Sequence, residues 1–119
     1  MIIRLSIPRD KSSLIDILNA CNSIAKFINN KTKDSFYSDE ILQEAVIRKI
    51  EIIGEASNRI SEDLKNNYPE LPWKKMKAIR NILIHMYDEL DLDIIWDTAI
   101  RDIPDVKLKI EKIILHINE

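Results

Sequence analysis

ILQEAVIRKIEIIGEASNRISEDL, residues 41–64, is the stretch whose spacing decides the fold. Leu42, Val46, Ile50, Ile53, Ser57, Ile60 and Leu64 recur every three or four residues, the period of one face of an α-helix. Ile41, Ala45, Ile52 and Ala56 form a second stripe beside the first. An apolar arc this wide implies a helix that touches more than one partner. Gly54 sits in its middle, where glycine costs about 1 kcal/mol relative to alanine. Close approach of another backbone is the expected reason, and a ligand contact is the alternative.

The same rhythm extends outward in both directions. Upstream, Pro8, Arg9 and Asp10 read as a helix start. Leu14, Ile17, Leu18, Cys21, Ile24, Ala25 and Ile28 then give a helix of about twenty residues. NNKTKDSFYSDE breaks the pattern, with Ser38 marking the next N-cap region. Downstream, Pro69 and Pro72 punctuate NNYPELP, and Trp73 opens a third long helix carrying Met76, Ile79, Leu83, Met86 and Leu90. A short helix is expected around Ile94–Arg101, with Trp96 as a core anchor. Pro104 starts a last helix with Val106, Leu108, Ile110, Ile113, Ile114 and Ile117 as its apolar positions. The architecture expected is a single all-α domain over residues 1–119, a four- to five-helix up-and-down bundle with short links.

Composition agrees. The chain has 119 residues, one glycine and four prolines, too few turn formers for a sheet protein of this size. It is 45% hydrophobic and 32% charged, proportions that support one packed core. The net charge of −2 argues against a dedicated basic nucleic-acid scaffold, and DNA is not an expected partner. It leaves room for a local basic patch. Cys21 has no second cysteine to pair with, and its neighbours Ile17, Leu18, Ala20 and Ile24 mark it as a small buried hydrophobe. The start MIIRLSIPRD is too short and charged for a signal peptide, and no apolar run approaches the ~20 residues that span a bilayer. A reducing, cytoplasmic setting without membrane contact is therefore expected.

Chemistry concentrates in RNILIHMYDEL, residues 80–90. With Arg80 at zero on a helical wheel, the stripe from Met76 to Leu90 covers an arc of roughly 240° to 320°. Tyr87 falls near the core edge at roughly 340°, while Asn81 and His85 lie together near roughly 100° and 140°. Arg80 and His85 are thus about 140° apart on a regular helix. They meet if the arginine curls across Ile84, if the helix loosens near Tyr87, or if a second copy supplies the partner. Ile82 and Ile84 point away from the intrachain core, as a contact surface would require, and a symmetric homodimer is the simplest solution. A plain structural account also stands: Arg80 pairs with Glu51, Glu55 or Asp88, and His85 is a surface histidine. If the site is chemical, its residues fit phosphodiester cleavage by a ribose 2′-hydroxyl without metal or other cofactor. Arginine binds phosphate oxygens with a planar fork, histidine exchanges a proton near neutral pH, and Asn81 can orient the imidazole. DELDLD and SEDL read as caps and turns, and no metal site is expected.

These residues resemble a known family. Arg80, His85 and Tyr87 match the RxxxxHxY motif of HEPN domains. RDKSSLIDILNAC, AVIRKIEIIGEASNRIS, YPELPWKKMKAIRNILIHMYDELD and IIWDTAIRDIP, in that order, are similar to successive segments of the HepT-like toxins. The resemblance covers roughly residues 9–117, and the seven residues before Pro8 stand outside it. It implies a HEPN-type bundle, usually dimeric, acting as a metal-independent endoribonuclease with Arg80 and His85 as the catalytic pair in a cleft at the dimer interface. It further implies Asn81 as a supporting group, and a toxin–antitoxin system whose minimal nucleotidyltransferase (MNT) antitoxin silences the toxin by transferring AMP to Tyr87. Gly54 then becomes a packing position beside the motif helix, with Glu51 and Glu55 as candidate partners of Arg80. Lys74, Lys75 and Lys77 would add positive charge for RNA, or else form a solvated helix face. The alternative function is a non-catalytic helical dimer that binds and regulates a nucleotidyltransferase or a nucleotide.

Overall fold

The computed structural model describes the backbone of residues 2–78 and 91–118, and side chains from Pro8 onward within those ranges. Among the described residues there is no strand, and the expected all-α bundle is borne out. Among the described residues its body is three long helices: α1 (Ile2–Ile28), α3 (Glu40–Arg59) and α7 (Ile103–Asn118). Helix α1 packs chiefly on α3 and on α7. The shorter pieces α2 (Lys33–Tyr37), α4 (Glu62–Asn67) and α6 (Leu92–Asp97) join them, and the described part of α5 covers residues 73–78.

The core follows the predicted stripes closely. Leu14, Ile17, Cys21 and Ile24 of α1 are fully buried. Every member of the run Leu42, Val46, Ile50, Ile53, Ser57, Ile60 and Leu64 is buried too. Trp96 is buried against Phe36, ring centroids 5.2 Å apart, and so anchors α6 as expected. Three apolar residues depart from the expectation, Ala25 of α1, which is exposed, and two larger side chains. Leu108 is 61% exposed and Ile41 81% exposed. Leu108 lies two residues from Ile110, about 160° round the wheel, so hydrophobicity alone placed it in the core stripe. Ile41 is in the first turn of α3, about 100° from buried Leu42.

Four boundaries differ from the sequence reading. Helix α1 begins at Ile2, so Pro8 lies inside it instead of opening it. Proline lacks the amide hydrogen and forfeits one intrahelical bond there. The break after α1 contains α2, whose Thr32 N-cap and Ser35 exchange bonds at 3.1 and 2.9 Å in a capping box. The N-cap of α3 is Asp39, one residue beyond Ser38, its carboxylate accepting from the Leu42 amide at 3.0 Å. The stripe from Leu42 to Leu64 is not one helix. The chain turns at Ile60 and restarts at Ser61, which caps α4 by accepting from the Leu64 amide at 3.2 Å.

The fifth difference is a continuity. No break separates the expected short helix from the last one. Helical backbone angles run through from α6 to α7 by way of a π-helical turn at Thr98–Asp102. Pro104 explains the wide turn: it cannot donate to the preceding turn, and its ring crowds the carbonyl four residues back. Loosening the helix to a π-turn just before it accommodates the ring without ending the helix.

Candidate functional site

Arg80, Asn81, His85 and Tyr87 lie outside the described residues, as do Ile79, Ile82, Leu83, Ile84, Met86, Asp88 and Leu90 of the wheel argument. The segment leading to them is among the described residues. Its approach is Tyr68–Pro72, a loop held from three sides. Leu71 is buried in the core. The Trp73 indole N–H donates to the Tyr68 carbonyl at 3.0 Å, and the Trp73 amide donates to that of Leu71 at 2.9 Å. From α7, the Lys109 ammonium donates to the Glu70 carbonyl at 3.0 Å while pairing with Asp105 at 2.9 Å. The Tyr68 hydroxyl meets His116 Nδ1 near the end of the same helix.

Helix α5 starts from this fixed loop. Its Met76 amide donates to the Pro72 carbonyl at 2.9 Å. Met76 is buried, and with Pro72 it lines a cavity of about 30 Å³ shared with Ile50 and Ile53 of α3 and Val106 of α7. This apolar contact sets α5 against the two long helices. Gly54 is buried one residue beyond Ile53, and its carbonyl accepts from the Ser57 hydroxyl at 2.8 Å. Glu51 and Glu55 are half-buried, one turn apart on α3. Glu51 pairs with Arg48 at 3.4 Å.

On the other side of α5 lies an open cleft of about 740 Å³ between α4 and α5. Among the described residues four lysines line it, Lys65, Lys74, Lys75 and Lys77, against one carboxylate, Glu62. Lys65 pairs with Glu62 at 3.8 Å, and Lys75 with Asp102 of the π-turn at 3.0 Å. Lys74 and Lys77 make no ion pair among the described residues, and both are exposed. Trp73, Pro69 and Leu71 form the apolar part of the wall. The sequence showed the lysines but not the cleft, because its opposite wall is α4, a helix that periodicity had merged with α3.

Several other chemistry-bearing residues serve structure. Asp91 caps α6, its carboxylate accepting from the amides of Asp93 at 2.9 Å and Ile94 at 3.4 Å. Asp93 receives the Tyr37 hydroxyl and the Lys33 ammonium. Those two contacts hold its carboxyl below the usual range, the tyrosine bond more than the lysine, while Tyr37 is pushed up. Burial pushes the Cys21 thiol up to about 12, which keeps it protonated and unreactive. The described residues contain no group of three His, Cys, Asp or Glu side chains able to hold a metal. No helix among them is long and apolar enough to cross a membrane.

Comparison with known proteins joins this frame to the sequence motifs. The model of the family described as Ribonuclease HepT-like matches residues 17–113. A Methanocaldococcus jannaschii protein whose name gives it as a candidate RNase, MJ0127, is 43% identical over 104 residues, 87% of this chain and 86% of its own. The "Probable ribonuclease HepT" of Thermococcus cleftensis is 43% identical over 103 residues, 87% of this chain and 94% of its own. A second candidate RNase of M. jannaschii, MJ0125, is 37% identical over 109 residues, 92% of this chain and 94% of its own. No solved structure matches the chain significantly. With most of its length matched by the family model and by relatives of the same size, the chain belongs to the HepT-like ribonuclease family.

Proposed function

We propose that this protein is a metal-independent endoribonuclease in which Arg80 and His85 cleave RNA at the interface of a homodimer. The observation that carries the proposal is the complete Arg80, His85, Tyr87 motif within a chain of the HepT-like family. The chemistry follows from the residue types. His85 takes the proton of a ribose 2′-hydroxyl, and the freed oxygen attacks the adjacent phosphorus. The bond from phosphorus to the 5′-oxygen breaks, leaving a 2′,3′-cyclic phosphate. The departing oxygen takes a proton from imidazolium or water and ends as a 5′-hydroxyl. Negative charge grows on the non-bridging oxygens during attack, and the Arg80 guanidinium neutralises it through paired N–H groups. Asn81 orients the imidazole, and Glu51 or Glu55 steadies the guanidinium.

Regulation belongs to the same proposal. The protein acts as the toxin of a HEPN/MNT pair, and its nucleotidyltransferase partner silences it by transferring AMP to the Tyr87 hydroxyl. A bulky anion on Tyr87, two residues from His85 in sequence, would exclude an RNA phosphate by size and charge.

Purified chain should cleave RNA in the presence of a chelator and yield cyclic-phosphate ends. Arg80→Ala and His85→Ala should each abolish cleavage while circular dichroism shows a folded helical protein. Cleavage surviving both substitutions would reject the assignment. A folded, unmodified dimer that binds a nucleotidyltransferase but leaves RNA intact would favour the non-catalytic regulatory module instead. For the modification, co-expression with the partner should raise the intact mass by whole AMP units, and Tyr87→Phe should prevent it.

A further inference from the structure

The cleft between α4 and α5 has a charge opposite to that of the chain as a whole. Among the described residues it gathers four lysines and one carboxylate, in a protein of net charge −2. Lys75 and Lys65 are already partnered, by Asp102 and Glu62. That leaves Lys74 and Lys77, three residues apart on one helix and therefore adjacent on one face. Their ammonium groups are exposed, and among the described residues no carboxylate holds them. The cleft floor is rigid: Trp73 is pinned by its indole bond to the Tyr68 carbonyl, and the loop before it by Lys109. Lys77 precedes Arg80 by three residues in the sequence, so the cleft is lined by the segment that leads into the motif.

We propose that this cleft is a track for the RNA strand flanking the scissile phosphate, with Lys74 and Lys77 each holding a backbone phosphate. The proposal rests on the ribonuclease reading for its choice of RNA. Lysine suits the task as a mobile point charge that grips phosphate without reading sequence. The contribution is electrostatic, so it must appear as salt dependence. Each phosphate neutralised on a single strand adds about 0.7 to the slope of log affinity against log salt. Loss of two contacts lowers that slope by about 1.4, which makes the variant's affinity deficit about sevenfold larger at about 50 mM salt than at about 200 mM.

The test is fluorescence anisotropy with a labelled single-stranded RNA oligonucleotide, in a full-length His85→Ala background so that the probe stays intact. Lys74→Ala/Lys77→Ala should weaken binding and flatten the salt slope by the stated amount. Lys26→Ala/Lys31→Ala, in the last turn of α1 and the link that follows it, removes the same charge elsewhere and should leave the slope near that of its parent. Equal slopes for the Lys74/Lys77 variant and its parent, or equal flattening by both double variants, overturn the proposal. The two readings fail separately. A chain with active His85 that cleaves RNA equally well with and without Lys74 and Lys77, and binds with an unchanged slope, removes the track and keeps the ribonuclease. A chain that binds through these lysines but cleaves nothing removes the ribonuclease and keeps the track.

Discussion

Replacing Asp10 by Ala probes the contact that sets α4, and with it one wall of the lysine cleft. Asp10 is only 1% exposed. Its carboxylate accepts from the Ser61 amide at 2.9 Å and from the Ser61 hydroxyl at 2.6 Å, across 51 residues of sequence. Ser61 Oγ in turn accepts from the Leu64 amide, so the aspartate braces the N-cap of α4 from behind. Hydrogen bonds to a charged group contribute roughly 1.5–3 kcal/mol each, so the gross loss on substitution is on the order of 3–6 kcal/mol. Two effects reduce it. The buried carboxylate no longer suffers desolvation, and the half-buried Ser61 donors recover some water. A net cost of about 2–4 kcal/mol remains, which for a chain of this length corresponds to a fall in Tm on the order of 10 °C.

Urea denaturation followed by circular dichroism measures that cost directly. Asp10→Asn should cost about half as much, because its carbonyl still accepts one bond while its amide cannot accept the other. Ser61→Ala removes the cap, worth about 1 kcal/mol, together with one of the aspartate's two donors. The double variant should therefore cost less than the sum of the singles by about 1 kcal/mol or more. Asp10→Ala within about 0.5 kcal/mol of the parent, or strictly additive singles, would refute the bracing role.

Cys21 should resist thiol reagents in the folded protein at pH 8 and react fully in denaturant; rapid labelling of the native chain would contradict its burial. Its folded thiol holds a proton up to about 12 while the unfolded one loses it near 9.0, so its contribution is present below 9.0 and declines as pH rises through that interval. Cys21→Ser should flatten stability against pH there. Trp96→Ala empties the space beside Phe36 and should cost about 3–5 kcal/mol by urea unfolding; a cost under about 1 kcal/mol would mean that α6 is not anchored by this ring. Asp93→Asn should lower the alkaline titration of Tyr37, read as ultraviolet difference spectra against Tyr37→Phe, because the carboxylate bond raises it. An unchanged titration would show that the bond does not persist in solution.

The fold was legible where its information is local. Heptad-like spacing identified the buried faces of α1, α3 and α7 because a helix repeats every 3.6 residues whatever it packs against. The same argument failed at Ser61. Ile60 and Leu64 stay in phase with Leu42 and Val46, yet the chain bends between them, and only the cap with two acids behind it, Ser61, Glu62 and Asp63, signals the restart. Helix α2 escaped notice because five residues are too few to show a period. The π-turn was equally hidden, since Pro104 reads as a helix start unless the preceding turn loosens to admit it.

The candidate site divides along the same line. Residue types nominated Arg80, Asn81, His85 and Tyr87, and the lysines before them, because chemistry is a property of the side chain. Which lysines are spoken for is a property of the fold. Asp102 reaches Lys75 only because the π-turn sets it beside α5, and Glu62 reaches Lys65 only because Ser61 begins a new helix. The first traces to Pro104 two residues further on and the second to the Asp10 brace on Ser61, and periodicity encodes neither. The consequence is that the charge available to RNA is smaller than the sequence count of lysines and more localised. An acidic protein can therefore hold a polyanion if two cations stay unneutralised in one cleft, and salt dependence at that one place, not net charge, is the quantity that decides it.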